Sequence, residues 1–231
     1  MVVRRTMTEM LRELRGEIGM SLDTSVQANV VDKHKLLLQR VERMLYDSEE
    51  WPHLMTSFEK TSNALVFQVA LPAGLDPGGI TSVSAKVTSS ATRPVPLQHG
   101  LSDAEMFSAN PAEAKWPPRF WRLQASNDPA EDDYQRTVVV WPVPDRNYTL
   151  TFYGRRALGS FVNGADQSTV DSDVIVLQAA AEILNGQQDP NATVKASAAR
   201  QRIADILARE RGDVSAATSM LPGLNPRRRK F

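Results

Sequence analysis

Apolar residues recur every three or four positions at both ends of the chain. Through the middle they come in short runs or at every second position. Near the start, Met7, Met10, Leu11, Leu14 and Ile18 share one face of a helix. Thr6 and Glu9 have capping-box spacing, so hydroxyl and carboxylate each accept a free amide and the helix begins at Thr6. Gly16 and Gly19 weaken it and set its end. A second helix is predicted from Val26 to Tyr46. Val30, His34, Leu37, Leu38, Val41 and Leu45 lie on its apolar face, with Lys33, Lys35, Arg40, Glu42 and Arg43 mostly elsewhere. Pro52 ends it, because proline cannot continue a helix and disfavours helical backbone at Trp51.

From Leu54 to Arg156 the pattern is strand-like, with β-branched and aromatic runs between Gly and Pro. Strands are predicted over Ala64–Leu71, Ile80–Thr88 and Arg119–Ala125. Two more, Val138–Trp141 and Tyr148–Tyr153, form a hairpin around Pro142-Val-Pro-Asp145. Pro72, Gly74, Pro77, Gly78 and Gly79 mark loops. Leu97–Ala114 is polar and reads as a crossing loop with one short helix capped by Ser102. Helical spacing returns where Asp171 or Ser172 caps a helix through Asn185, with Ile175, Ala179 and Ile183 on one face and Asn185-Gly186 as its stop. A last helix runs from Ala192 to Arg211 with Ala196, Ala199, Ile203, Ile206 and Leu207 apolar, and Gly212 ends it. Ser215 to Phe231 is aperiodic and closes on a basic run.

The expected fold class is therefore α+β. Two N-terminal and two C-terminal helices pack as one four-helix bundle, with an inserted antiparallel β-rich domain and an extended C-terminal tail. The expected boundaries are 1–53 and 161–212 for the two helix pairs, 54–160 for the β domain, and 213–231 for the tail.

Composition narrows the possible chemistry. The 27 basic and 27 acidic residues cancel, which argues against whole-surface attraction to nucleic acid or anionic membrane. There is no cysteine, so disulfides and thiolate metal sites are excluded. His34, His53 and His99 are far apart, and no metal cluster is expected from them. The first residues lack the apolar run of a signal peptide, and no stretch has the length of a membrane span; a soluble protein made in the cytoplasm is expected.

Catalytic motifs are absent. There is no P-loop, GxGxxG or GxSxG, and Gly74-Leu-Asp-Pro-Gly-Gly79 reads as a turn because it leads into a strand rather than a helix. Asp166, Asp171 and Asp173 form a carboxylate group without a nearby histidine, and helix capping accounts for at least one of them. Trp116 and Trp121 offer either a base-stacking platform or ordinary packing. Arg227-Arg-Arg-Lys230 is the sharpest charge feature. It is either a solvated end or a peptide that orders against an acidic or phosphate-lined groove. No cofactor is expected.

Five stretches in order carry a resemblance. They are Leu45-Tyr-Asp-Ser-Glu-Glu-Trp-Pro-His-Leu54, Leu71-Pro-Ala-Gly-Leu75, Val140-Trp-Pro-Val-Pro-Asp145, Tyr148-Thr-Leu-Thr-Phe-Tyr-Gly-Arg-Arg156, and the helix opening at Val170-Asp-Ser-Asp173. Together they resemble the head-to-tail adaptors of tailed phages, in particular the tail tubular protein A type of short-tailed phages, over roughly Thr6 to Arg211. The resemblance implies a non-enzymatic virion protein at the head–tail junction. Copies would form a ring, usually dodecameric, beneath the portal. The ring would extend the DNA channel, pass the genome without sequence-specific binding, and present a surface to the nozzle or next tail component. It also implies that the C-terminal tail docks on the portal, through Pro226, Arg227, Arg228, Arg229, Lys230 and Phe231. The alternative function is a nucleic-acid-binding module using the basic tail and the Trp-rich loop, and a further rival is an enzyme with a carboxylate site. No membrane partner is expected.

Overall fold

The structure, a computed structural model, describes residues 2–23, 28–89, 93–100, 116–125 and 136–210. It divides into two compact units, Met1–His53 with Leu158–Phe231, and Leu54–Ala157.

The first unit is helical. In α1 (Met7–Glu17) the Thr6 hydroxyl accepts the Glu9 N–H, and the Glu9 carboxylate accepts the Thr6 N–H at 2.8 Å. Met7, Met10, Leu11 and Leu14 are buried, as their spacing requires. Helix α2 (Ala28–Ser48) buries Leu38, Val41, Leu45 and Tyr46. Beyond its end the indole of Trp51 is fully buried and donates to the Leu45 carbonyl at 2.9 Å, satisfying one of the free carbonyls of the last turn. Helix α3 (Ser172–Gly186) is capped by the Asp171 carboxylate, which accepts the Val174 N–H. Helix α4 (Asn191–Glu210) follows after a short turn.

These helices are not the expected four-helix bundle of two N-terminal and two C-terminal partners. Helix α3 is apolar around most of its circumference, burying Val174, Ile175, Val176, Ala179, Ala180, Ala181 and Leu184. A helix apolar all round belongs at the centre, and α1, α2 and α4 each pack on α3. Helix α4 buries only Ala192, Ala199 and Ile206. That single narrow stripe suffices for one neighbour, and Ile203 and Leu207 stay half-buried. The N-terminal segment also ties to the approach of α3: Ser172 N–H donates to the Val3 carbonyl at 2.9 Å, and Ser168 N–H to that of Arg5 at 3.2 Å.

The second unit is one seven-stranded sheet: β1 (Met55–Ser62), β2 (Gln68–Ala70), β3 (Leu75–Val87), β4 (Val95–His99), β5 (Phe120–Ala125), β6 (Arg136–Trp141) and β7 (Tyr148–Arg156), in the order β1-β7-β3-β4-β5-β6-β2. It curls toward a barrel. Side chains from six of its strands meet in one core that includes Val69, Val83, Leu97, Trp121, Val138, Val140, Leu150 and Phe152, and Phe58 of β1 packs against it. The sheet is mixed, not antiparallel as expected, because β4 and β5 pair in parallel with Gln98 opposite Phe120. The connection between them is long enough for the crossover that parallel strands need.

Four local expectations also change. The expected hairpin of Val138–Trp141 with Tyr148–Tyr153 does not form: β6 pairs with β5 and β2, while β7 pairs with β1 and β3, because the proline-rich connection carries the chain to another part of the sheet. Ala64–Leu71 is a turn followed by the short β2, not one strand. Leu97 to His99 belong to β4 rather than to a crossing loop, and the helix placed after Ser102 lies outside the described residues. Leu75 to Gly79 belong to β3, which reaches its register with β7 through irregularities around Ile80.

Candidate functional site

Strands β6 and β7 are joined by a turn whose polar groups lock one another. Trp141–Pro142 is cis. Asp145 accepts from Arg146 Nη2 at 2.8 Å and from the Tyr148 hydroxyl at 2.7 Å. The Arg146 bond holds the Asp145 carboxyl below the usual carboxylate range. Burial, then the Asp145 bond, pushes the Tyr148 phenol up to about 12. At neutral pH neither group changes protonation, so the pair fixes a shape and does not exchange protons.

Against this turn packs the loop after β1. Leu65 N–H donates to the Pro144 carbonyl at 2.9 Å, and Ala64 N–H to Asn147 Oδ1 at 2.8 Å. Leu65 is held at φ +65, a left-handed backbone that costs a non-glycine residue energy. Its side chain is 57% exposed, and Val66 beside it is 42% exposed. A hollow of about 480 Å³ lies alongside, lined by Ala64, Val87, Thr88 and Asn147 among others. Strained backbone presenting apolar side chains at a braced tip suits contact with another surface.

The helical unit carries a second concave feature, a groove of about 590 Å³ between α1 and α4. Helix α3 is its floor through Asp173, Val176 and Leu177, while Gly16 and Glu17 stand on one wall and Ala198 and Asp205 on the other. Ion pairs line it, one joining α4 to α1 and the others tying Arg5 and Arg202 to the start of α3 and to α1. Lys195 reaches Glu17. Arg5 binds Asp173 and, at 2.9 Å, Glu13. Arg202 binds Asp171 at 3.2 Å and Asp173 at 3.4 Å.

The residues singled out by sequence fall in different places. His34 is 6% exposed on α2, and burial together with Arg15 lowers its pKa. His53 meets Glu210 at 3.3 Å in the helical unit, and His99 lies edge-on to Trp121 in the β unit. Asp171 and Asp173 share Arg202, whereas Asp166 accepts the Val162 and Asn163 amides at 2.8 Å and so closes its own loop. Among the described residues, no group of three or more His, Cys, Asp or Glu could hold a metal ion. Trp116 and Trp121 do not form a platform: Trp121 is 3% exposed in the barrel core, while Trp116 is 62% exposed. Arg155 is committed to Asp76 at 2.6 Å. Among the described residues no helix is long and apolar enough to cross a membrane. The portal-docking segment, Pro226, Arg227, Arg228, Arg229, Lys230 and Phe231, lies outside the described residues.

Sequence reasoning missed Glu42. It is 1% exposed and accepts the Thr169 N–H at 2.6 Å, bracing the chain just before the α3 cap. Its partner is far away in sequence, so no local signal could have found it. The groove was missed for the same reason: its three sides come from opposite ends of the chain.

The five stretches that carry the resemblance occupy framework positions. The first brackets the buried Trp51 and the second the β2–β3 turn, where Gly74 has φ +79. The third is the cis turn after β6. The fourth is β7, paired on both sides. The fifth caps the central helix α3. No family model matches the chain, and no curated protein matches it.

Proposed function

We propose that the protein is a head-to-tail adaptor of a tailed phage, acting by assembly rather than by catalysis. Copies form a closed, dodecameric ring beneath the portal. The ring extends the DNA channel and offers an attachment surface to the nozzle or next tail component. The tail Pro226–Phe231 docks on the portal.

The observation that carries the proposal is the ordered set of five stretches, from Leu45–Leu54 to the helix opening at Val170, each seated on the protein's framework. Two features are in keeping with it. The β unit is one continuous stretch interrupting the helical unit. The braced tip at Leu65 and Val66 presents apolar side chains of the kind that protein contacts bury. In this reading the segment Thr137–Arg156 is scaffold: its two strands sit in separate parts of the sheet, and the turn between them braces that tip.

The proposal is tested by removing Pro226–Phe231 in the phage. The shortened protein should fold and lose portal docking, because arginine pairs bidentately with carboxylates and Phe231 can anchor in an apolar pocket. Changing Arg227, Arg228 and Arg229 to Ala should do most of the same damage. DNA-filled, tail-bearing particles at the normal level would refute the tail's role.

A further inference from the structure

The α1–α4 groove is short of positive charge. Glu13, Glu17, Asp171, Asp173 and Asp205 lie in or under it, against Arg5, Arg202 and Lys195. Glu13 meets Arg5 at 2.9 Å, yet its carboxyl is pushed above the ordinary range by burial, and Asp173, Glu9 and Glu17 add to that push. Further cations placed here would be stabilised. Beside Asp173 the floor has an apolar part, with Leu177 half-buried next to the buried Val176.

The chain carries the complement at its own end. Arg227, Arg228, Arg229 and Lys230 are four adjacent cations followed by an aromatic residue, Phe231. The geometry permits the return. Helix α4 ends at Glu210, one turn and a half beyond the groove wall at Asp205. The stretch from there to Pro226 spans up to about 50 Å when extended, while the wall from Ala198 to Glu210 is about 18 Å long. Reach therefore sets no barrier.

We infer that the groove between α1 and α4 is a docking site for the chain's own C-terminal segment, Pro226–Phe231, with its cations over the carboxylates and Phe231 against the Val176–Leu177 floor. Docking there keeps the segment from other acidic surfaces until one competes for it. The inference does not depend on the adaptor proposal.

The absence of cysteine makes the test direct. In the full chain, Asn225→Cys is paired either with Gln201→Cys at the groove or with Ala204→Cys. Ala204 is exposed and lies further round the helix, about 60° from Gln201 and about 100° from Asp205. Under mild oxidation at low salt, the groove pair should close within one chain about tenfold faster than the Ala204 pair. About 1 M salt, which shortens screening to roughly 3 Å, should erase that preference. So should Glu13→Gln with Glu17→Gln and Asp205→Asn, provided circular dichroism shows the variant still helical. Equal rates for the two pairs would overturn the inference. So would a preference untouched by salt, or cross-links joining two copies, which would assign the groove to a neighbour's tail.

Discussion

Glu42 is a carboxylate with 1% of its surface exposed, and its environment sets the sign of a pH effect. Burial raises its pKa from 4.5, opposed by bonds from the Thr169 and Val170 amides. A raised folded pKa means that the folded state holds the proton more tightly. Its contribution to stability is thus full below pH 4.5 and is lost as pH rises through the folded value. Glu42→Gln should remove that slope. Glu42→Ala should cost about 1–3 kcal/mol in urea unfolding, because it leaves buried amides without an acceptor. His34 has the opposite sign. Burial and Arg15 lower its pKa from 6.5, so stability is present above pH 6.5 and is lost as pH falls through the folded value. His34→Leu should flatten the fall of melting temperature on the acid side of 6.5. The sequence placed His34 on an apolar face correctly, since its neighbours on α2 define that face. It placed Glu42 off that face, because what buries Glu42 is the chain before α3, invisible to helical spacing.

At the scale of elements, helices were the legible part. The Thr6–Glu9 box and the Asp171 cap both form, since capping is settled within four residues. Strand pairing was not. Met55–Ser62 has one large apolar side chain well inside it, Phe58, so an edge strand gave no alternation to read. The parallel pairing of β4 with β5 is written in no local pattern. Gly154 shows what the register demands. A Cβ there would meet the Gly79 carbonyl oxygen at 2.8 Å and Ile80 Cα at 3.1 Å, both backbone atoms of β3. Gly154→Ala should destabilise the protein by about 1–3 kcal/mol, measured by chemical unfolding. Leu65→Gly should act the other way. It removes a left-handed backbone cost of about 1 kcal/mol and should weaken any contact made by the tip.

For the whole molecule, apolar spacing told which faces were apolar but not how many neighbours each face served. Helix α3 has enough buried surface for three partners and α4 enough for one, so the helices gather around α3 instead of forming two equal pairs. Replacing Leu54–Arg156 by a short linker should leave a protein with helical circular dichroism. The buried faces of α1, α2 and α4 already meet those of α3 within one unit. Loss of the helical signal would show that the helical unit does not fold without the β unit. Assembly is the central claim, and a closed head-to-tail ring is the form it takes. Near-neutral net charge limits repulsion between neighbouring copies. The most direct measurement is electron microscopy of the assembled portal–tail complex containing this protein. The proposal predicts a ring of twelvefold symmetry directly beneath the portal, each copy with the mass of the 231-residue chain. A complete tail with no ring of that mass at the junction would contradict it.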